Sequence, residues 1–154
     1  MTYAQENFIE DFRSKWKNGK EFTLEYAEIM PAEKYSYKPS EEEKPYNMVI
    51  LHMLQNMIWI SNDYLHGDFE NPIKTADPNK AEIIQMIHLV YDHVDTLMAD
   101  LNPHRLRDKV RFFAGETTVL KMIELTDDHA SHHRGQLSVY LRMNGIKPPK
   151  YRGW

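Results

Sequence analysis

Thr126-Asp-Asp-His-Ala-Ser-His-His-Arg-Gly-Gln-Leu-Ser-Val-Tyr-Leu-Arg-Met-Asn-Gly145 is the stretch on which the reading of this chain turns. It belongs to the longest helical pattern present, which begins after Thr117 and runs to Asn144, about 40 Å at the standard rise. Val119, Met122, Thr126, His129, His133, Leu137 and Tyr140 recur at spacings of three and four and form one stripe. Gly145 supplies a left-handed end residue, and Pro148-Pro149 prevent the helix from continuing. Such a stripe must face a core, where an imidazole needs a partner. His129 and His133 stand i and i+4, so both rings project from one side, one turn apart, and can reach a single ion.

Working outward, three further helical patterns precede this one, and no long alternating strand pattern occurs. The first spans about Tyr3 to Met30, carried by Phe8, Phe12, Trp16, Leu24, Tyr26 and Ile29. Asn18-Gly19 is expected to kink or split it, and Pro31 closes it. The second starts at Pro45, a first-turn residue in this reading, and runs to about Leu65, stopping at His66-Gly67. Ser40-Glu-Glu-Glu43 also resembles a capping box, but Pro45 would then sit near the second turn, so the later start is preferred. The third lies between Asp77-Pro78 and Asn102-Pro103, with Ile83, Ile84, Ile87, Val90, Tyr91, Val94 and Leu97 at helical spacing. Lys109 to Ala114 reads as a loop containing an extended stretch. Four long amphipathic helices joined by loops predict an all-α four-helix bundle, and residues 1–154 read as a single domain.

Composition excludes several classes of function. The net charge is −4 with both signs interspersed, so no nucleic-acid partner is expected; His104-Arg-Leu-Arg107 reads as a solvated loop. There is no cysteine, hence no disulfide framework and no thiolate chemistry from the chain itself. The amino terminus lacks the basic-then-apolar layout of a signal peptide. The most apolar window, Met48–Ile60, contains His52, Gln55 and Asn56 and is too short to span a bilayer, so no membrane partner and a cytoplasmic location are expected.

That window holds the third notable histidine. Apolar residues surround the axis almost completely from Met48 to Ile60, which predicts that His52 is embedded in the core. Alone, His52 is a hydrogen-bonded core histidine, and a lone H-x-x-x-H is a structural pair. Three buried imidazoles on two helices change the balance, because one divalent cation satisfies all of them. A structural zinc site closes with four protein ligands, whereas three histidines leave a position open for water or substrate. The H-E-x-x-H pattern is absent. An open three-histidine metal site at His52, His129 and His133 is the favoured reading; the alternative is that the three serve the core without metal.

Asp128-His-Ala-Ser-His-His-Arg-Gly-Gln136, continuing through Leu-Ser-Val-Tyr-Leu-Arg-Met-Asn-Gly-Ile-Lys-Pro-Pro149, resembles the signature of the DinB/YfiT-like superfamily. His52, mid-way along helix two after a proline-containing loop, and Phe112-Phe-Ala-Gly-Glu116 before helix four fit the same pattern. The resemblance spans about Phe22 to Tyr151. It implies an up-down-down-up bundle with one long crossover, a homodimer, and His52, His129 and His133 as ligands of a nickel or zinc ion. It further implies a small-molecule substrate. Some members are thiol-dependent transferases or isomerases, in which the ion lowers the pKa of a low-molecular-weight thiol such as bacillithiol or mycothiol; others are metal-dependent hydrolases with bound water in that role. A non-catalytic metal- or small-ligand-binding stress-response protein is the alternative.

Several neighbours carry narrower expectations. Asn56 is one turn beyond His52 and is a candidate to contact a metal-bound water, or a bridged core amide. Asp128 is a candidate to orient a ligating imidazole, the plainer reading being an exposed helical carboxylate. Arg134 and Gln136 are read as packing or loop-capping groups, and His132 as a rim residue. Trp59, Met48, Met53 and Met57 are read as core. His88 and His93 do not share a face, and His66 and His104 fall in loops.

Overall fold

The structure is a computed structural model that describes residues 3–73 and 75–154, with side chains described from residue 7 onward except 74. Four helices, α1 (Tyr3–Ile29), α2 (Tyr46–Leu65), α3 (Lys80–Asp100) and α4 (Val119–Met143), are accompanied by a short hairpin, β1 (Lys109–Phe112) and β2 (Gly115–Thr118).

The helix ends follow local chemistry. Pro45 is the residue immediately before α2, not a member of its first turn. The first N–H groups of α2, which lack intrahelical acceptors, are taken up by the preceding loop: Tyr46 donates to the Tyr37 carbonyl and Asn47 to that of Tyr35. At the other end it is His66, not Gly67, that adopts the left-handed conformation, at φ 62°. Gly67 is needed for close approach, since a Cβ there would lie 2.8 Å from both Asn62 Oδ1 and His93 Nε2. α3 opens with a full capping box: the Asn79 side chain accepts from the Glu82 N–H, and the Glu82 carboxylate from the Asn79 N–H. Thr118 caps α4.

One expectation is corrected here and another extended: the stretch expected within 109–114 is β1, and it has a partner strand. α1 is continuous through Asn18-Gly19. Gly19 marks a close contact, for a Cβ there would sit 3.7 Å from the Arg134 guanidinium and 3.8 Å from the Tyr91 ring. Residues 109–118 form an antiparallel hairpin in which Phe112 pairs with Gly115, itself at φ 123°. The polar second strand, Gly-Glu-Thr-Thr, carries too little apolar alternation to be read from sequence.

Cross-helix contacts set the directions. Arg13–Asp95, Lys20–Asp92 and Trp16–Tyr91 run α1 against α3 in opposite senses, and Lys80 reaches the Glu28 and Met30 carbonyls at their shared end. The Asn47 amide donates to the Asp77 carboxylate and the Pro78 carbonyl, so α2 and α3 start together and run parallel. α4 opposes α2, with Tyr46 near Tyr140 at one end and Ile60, Tyr64 and Met122 clustered at the other. Lys15–Asp127, Thr23–Arg134 and Tyr26–Ser138 set α4 parallel to α1. The bundle is therefore up-down-down-up, with residues 66–79 crossing its length between the two parallel helices. Among the described residues no helix is long and apolar enough to cross a membrane.

The core runs along the centre of all four helices. Met53 and Met57 are fully buried, as expected, and Met48 is partly so. Trp59 is not core: it is 37% exposed, stacks on Phe112 and donates its indole N–H to Asp63. Trp16 does the central work for α1, lying between Phe12 and Tyr91 and donating to the Tyr91 carbonyl at 3.0 Å. Trp16→Ala is expected to cost about 3–5 kcal/mol, the usual range for deleting a buried aromatic. Urea unfolding monitored by circular dichroism would measure it, and a loss below about 1 kcal/mol would contradict this placement.

Candidate metal centre

The α2–α4 seam brings the three histidines together. Because the two helices run antiparallel, His52 in the middle of α2 meets the middle of α4, where His129 and His133 occupy consecutive turns of the inward stripe. Ring centroids are 5.2 Å apart for His52 and His129, 5.0 Å for His52 and His133, and 4.4 Å for His129 and His133. Each ring offers a nitrogen such that all three atoms lie within 4.8 Å of one another. His133 is the deepest and His52 the most exposed of the three. His52 is thus partly exposed, not embedded in the core as its apolar neighbours suggest. The helix is apolar on nearly every side, yet its outer face still opens at Gln55 and Trp59.

Burial dominates the electrostatics. It lowers the pKa of all three imidazoles, that of His129 to about 4, and the neighbouring rings add to the effect at His129. Lys44 further disfavours protonation of His52 and His133, while the Gln136 hydrogen bond works the other way at His133. The rings are neutral at neutral pH, the state in which an imidazole nitrogen binds a metal.

Hydrogen bonds define which atoms face inward. His133 Nε2 and His129 Nε2 are 3.2 Å apart, and His133 Nδ1 is 2.9 Å from Gln136 Oε1. Gln136 Nε2 donates to the Glu43 carboxylate at 3.0 Å, so the amide presents its oxygen to the imidazole. With the amide turned this way, Nδ1 is the donor in that contact and Nε2 accepts from His129 Nε2. Two nitrogens bound to one tetrahedral zinc at 2.0–2.1 Å would be separated by about 3.3 Å. The spacing and the neutral donor set fit a divalent ion. Three ligands leave at least one coordination position for a further group.

The remaining sequence candidates separate. Asn56 is half-buried, and its Oδ1 has no hydrogen-bond partner among the described residues; His129 Nδ1 likewise has none. Asp128 is exposed and lines a cleft toward α1 with Phe8, Asp11 and Lys15. The contact expected of it, to a ligating imidazole, is made at His133 by Gln136 instead. The i, i+3 spacing of His133 and Gln136 on one helix could have signalled that bond; no sequence signal pointed to Glu43. Arg134 is packing, as expected. It is 4% exposed, bonds Tyr91 and Ser131 at 3.3 and 2.9 Å and Thr23 at 3.4 Å, and faces the Phe22 ring, so it ties α1 and α3 to α4. His132 and His88 are exposed, whereas His93 packs on Phe69.

An imidazole whose folded pKa of about 4 lies below its unfolded value of about 6.5 binds fewer protons when folded. The metal-free protein should therefore lose stability as the pH falls from about 6.5 toward 4, and His129→Ala should flatten that part of the profile. Urea midpoints measured across this range test the point; parallel profiles for the variant and wild type would refute it.

Comparison with known proteins follows the same lines. The chain matches the DinB family over residues 3–153. It is 24% identical over 127 residues to YjoA of Bacillus subtilis strain 168, described as uncharacterized, covering 80% of this chain and 82% of that protein. The crystal structure of the DinB-like protein YjoA superposes with a TM-score of 0.77 at 22% identity, covering 92% of this chain and 98% of that one. A DinB-like protein from Bacillus cereus ATCC 10987 gives a TM-score of 0.80 at 21% identity, covering 94% and 97%. Those two likenesses bear on the fold; the match across nearly the whole sequence decides the family. The chain belongs to the DinB family.

Proposed function

We propose that this protein binds one divalent metal ion, nickel or zinc, through His52, His129 and His133, and uses it as an enzyme on a small-molecule substrate. The observation that carries this reading is the convergence of three neutral imidazoles on the α2–α4 seam, with two Nε2 atoms 3.2 Å apart. Without metal, His129 Nε2–H donates to the bare His133 Nε2, while His129 Nδ1 has no hydrogen-bond partner among the described residues. Bound metal would supply Lewis acidity, lowering the pKa of a thiol or water in the remaining position.

The chain's own residues account for the rest. His133 is oriented by Gln136, His129 is held neutral by burial, and His52 is the most exposed of the three, the side from which a substrate would approach. With no cysteine in the chain, a thiol nucleophile would have to come from a low-molecular-weight cosubstrate. Transfer of such a thiol to an electrophile is the reaction class favoured here, with hydrolysis as the counterpart if water takes its place.

Purified without an affinity tag and loaded with zinc or nickel, the protein should hold about one ion per chain by elemental analysis. His129→Ala and His133→Ala should each abolish stoichiometric binding. Wild-type protein that retains no divalent ion under any loading condition would falsify the site. For activity, electrophilic substrates paired with several low-molecular-weight thiols should turn over in the loaded wild type and not in His52→Ala. Equal turnover in the two would count against metal-activated chemistry.

A further inference from the structure

We propose that Glu43, in the loop before α2, determines which ring nitrogen of His133 carries the proton, acting through the side-chain amide of Gln136. This rests on the reading of the three histidines as metal ligands and names a positioning residue for that site.

The argument starts from the symmetry of an amide. Gln136 can turn either its oxygen or its NH₂ group toward His133 with almost no change in shape. With oxygen inward, it accepts from Nδ1–H and leaves Nε2 bare. With NH₂ inward, it donates to Nδ1, which drives the proton to Nε2, the atom that faces His129. The first arrangement suits a ligand and the second blocks it. The imidazole by itself favours the second, since a neutral histidine in water prefers the proton on Nε2, so the first must be imposed by its surroundings.

What breaks the symmetry is the group on the far side of the amide. Glu43 Oε2 lies 3.0 Å from Gln136 Nε2, and a carboxylate can only accept. The amide must therefore keep its NH₂ outward and its oxygen on His133 Nδ1, 2.9 Å away. The carboxylate is itself held in place. Tyr140, 1% exposed, directs its hydroxyl to Glu43 Oε2 at 3.4 Å and to the Lys44 carbonyl at 2.8 Å, pinning this end of the loop to α4. The charge of Glu43 also contributes, after burial, to raising the Tyr140 pKa to about 12, so that hydroxyl stays a donor. The loop and the helix thus meet in a chain from Glu43 through Gln136 to the His133 ring.

Glu43 is exposed, so it can be substituted without disturbing the core. The state of the His133 ring in the metal-free protein is read from nitrogen-15 shifts and long-range proton couplings, and zinc affinity is measured by chelator competition. Wild type should show the proton on Nδ1. Glu43→Gln should resemble it, because its amide oxygen can still accept. Glu43→Ala should give a mixture of the two forms. Glu43→Lys, which can only donate, should flip Gln136, move the proton to Nε2 and weaken zinc binding about 10–100-fold. The result that overturns the proposal is a His133 proton that stays on Nδ1 in Glu43→Lys, whatever happens to affinity, since added charge alone would weaken zinc binding without moving it. A wild type that binds no metal but whose tautomer follows residue 43 would support this inference while removing the proposed function.

Discussion

The antiparallel register of α2 on α4 is the constraint from which the rest of the site follows. His52 lies 77 positions before His129, and only this seam brings the rings within about 5 Å of one another. The seam is fastened at both ends. Tyr140 and Tyr46 meet where α2 begins, and Ile60, Tyr64 and Met122 close the other end against the hairpin. A slip of one residue would rotate the α4 stripe by about 100° and remove both histidines from His52.

That seam in turn needs the other two helices. α3 runs parallel to α2, which a short connection cannot achieve, and residues 66–79 cross the bundle to make it possible. α1 then packs on α3, with Trp16 seated on Tyr91. Arg134 joins the two halves through Tyr91, Thr23 and the Phe22 ring. A guanidinium is suited to this role because its planar face packs on an aromatic ring while its edges donate to several hydroxyls. It sits next to His133 in sequence but about 100° round α4 from it, turned toward α1 and α3. The motif H-x-x-x-H-R-G-Q therefore serves two faces: the histidine cluster on one and helix assembly on the other.

The pattern of errors has physical causes. Helical stretches were legible because a period of 3.6 recurs over many turns and averages out local noise. Gly19 was misread because glycine signals both weak helicity and close approach, and only the packing of Tyr91 and Arg134 separates the two. Trp59 was misread because apolar character does not say which sector of a nearly all-apolar helix remains uncovered. The same ambiguity applies to His52, whose neighbours are buried while it is partly exposed itself. For Asp128 the plainer reading, an exposed helical carboxylate, holds: it lies about 100° from residue 129 around the helix and turns toward α1.

The sequence by itself determined the helical class, the approximate extents of four helices, and the pairing of His129 with His133. These are local properties, dictated by spacing on one helix and by capping chemistry. It also supplied a motif specific enough to suggest the family. Only the tertiary structure decided that His52 faces that pair, that Gln136 rather than Asp128 holds the His133 ring, and that Glu43 stands behind Gln136. Each of these depends on the register and rotation of helices whose contacts lie tens of residues apart, and one chain read without its packing does not contain that information in local form.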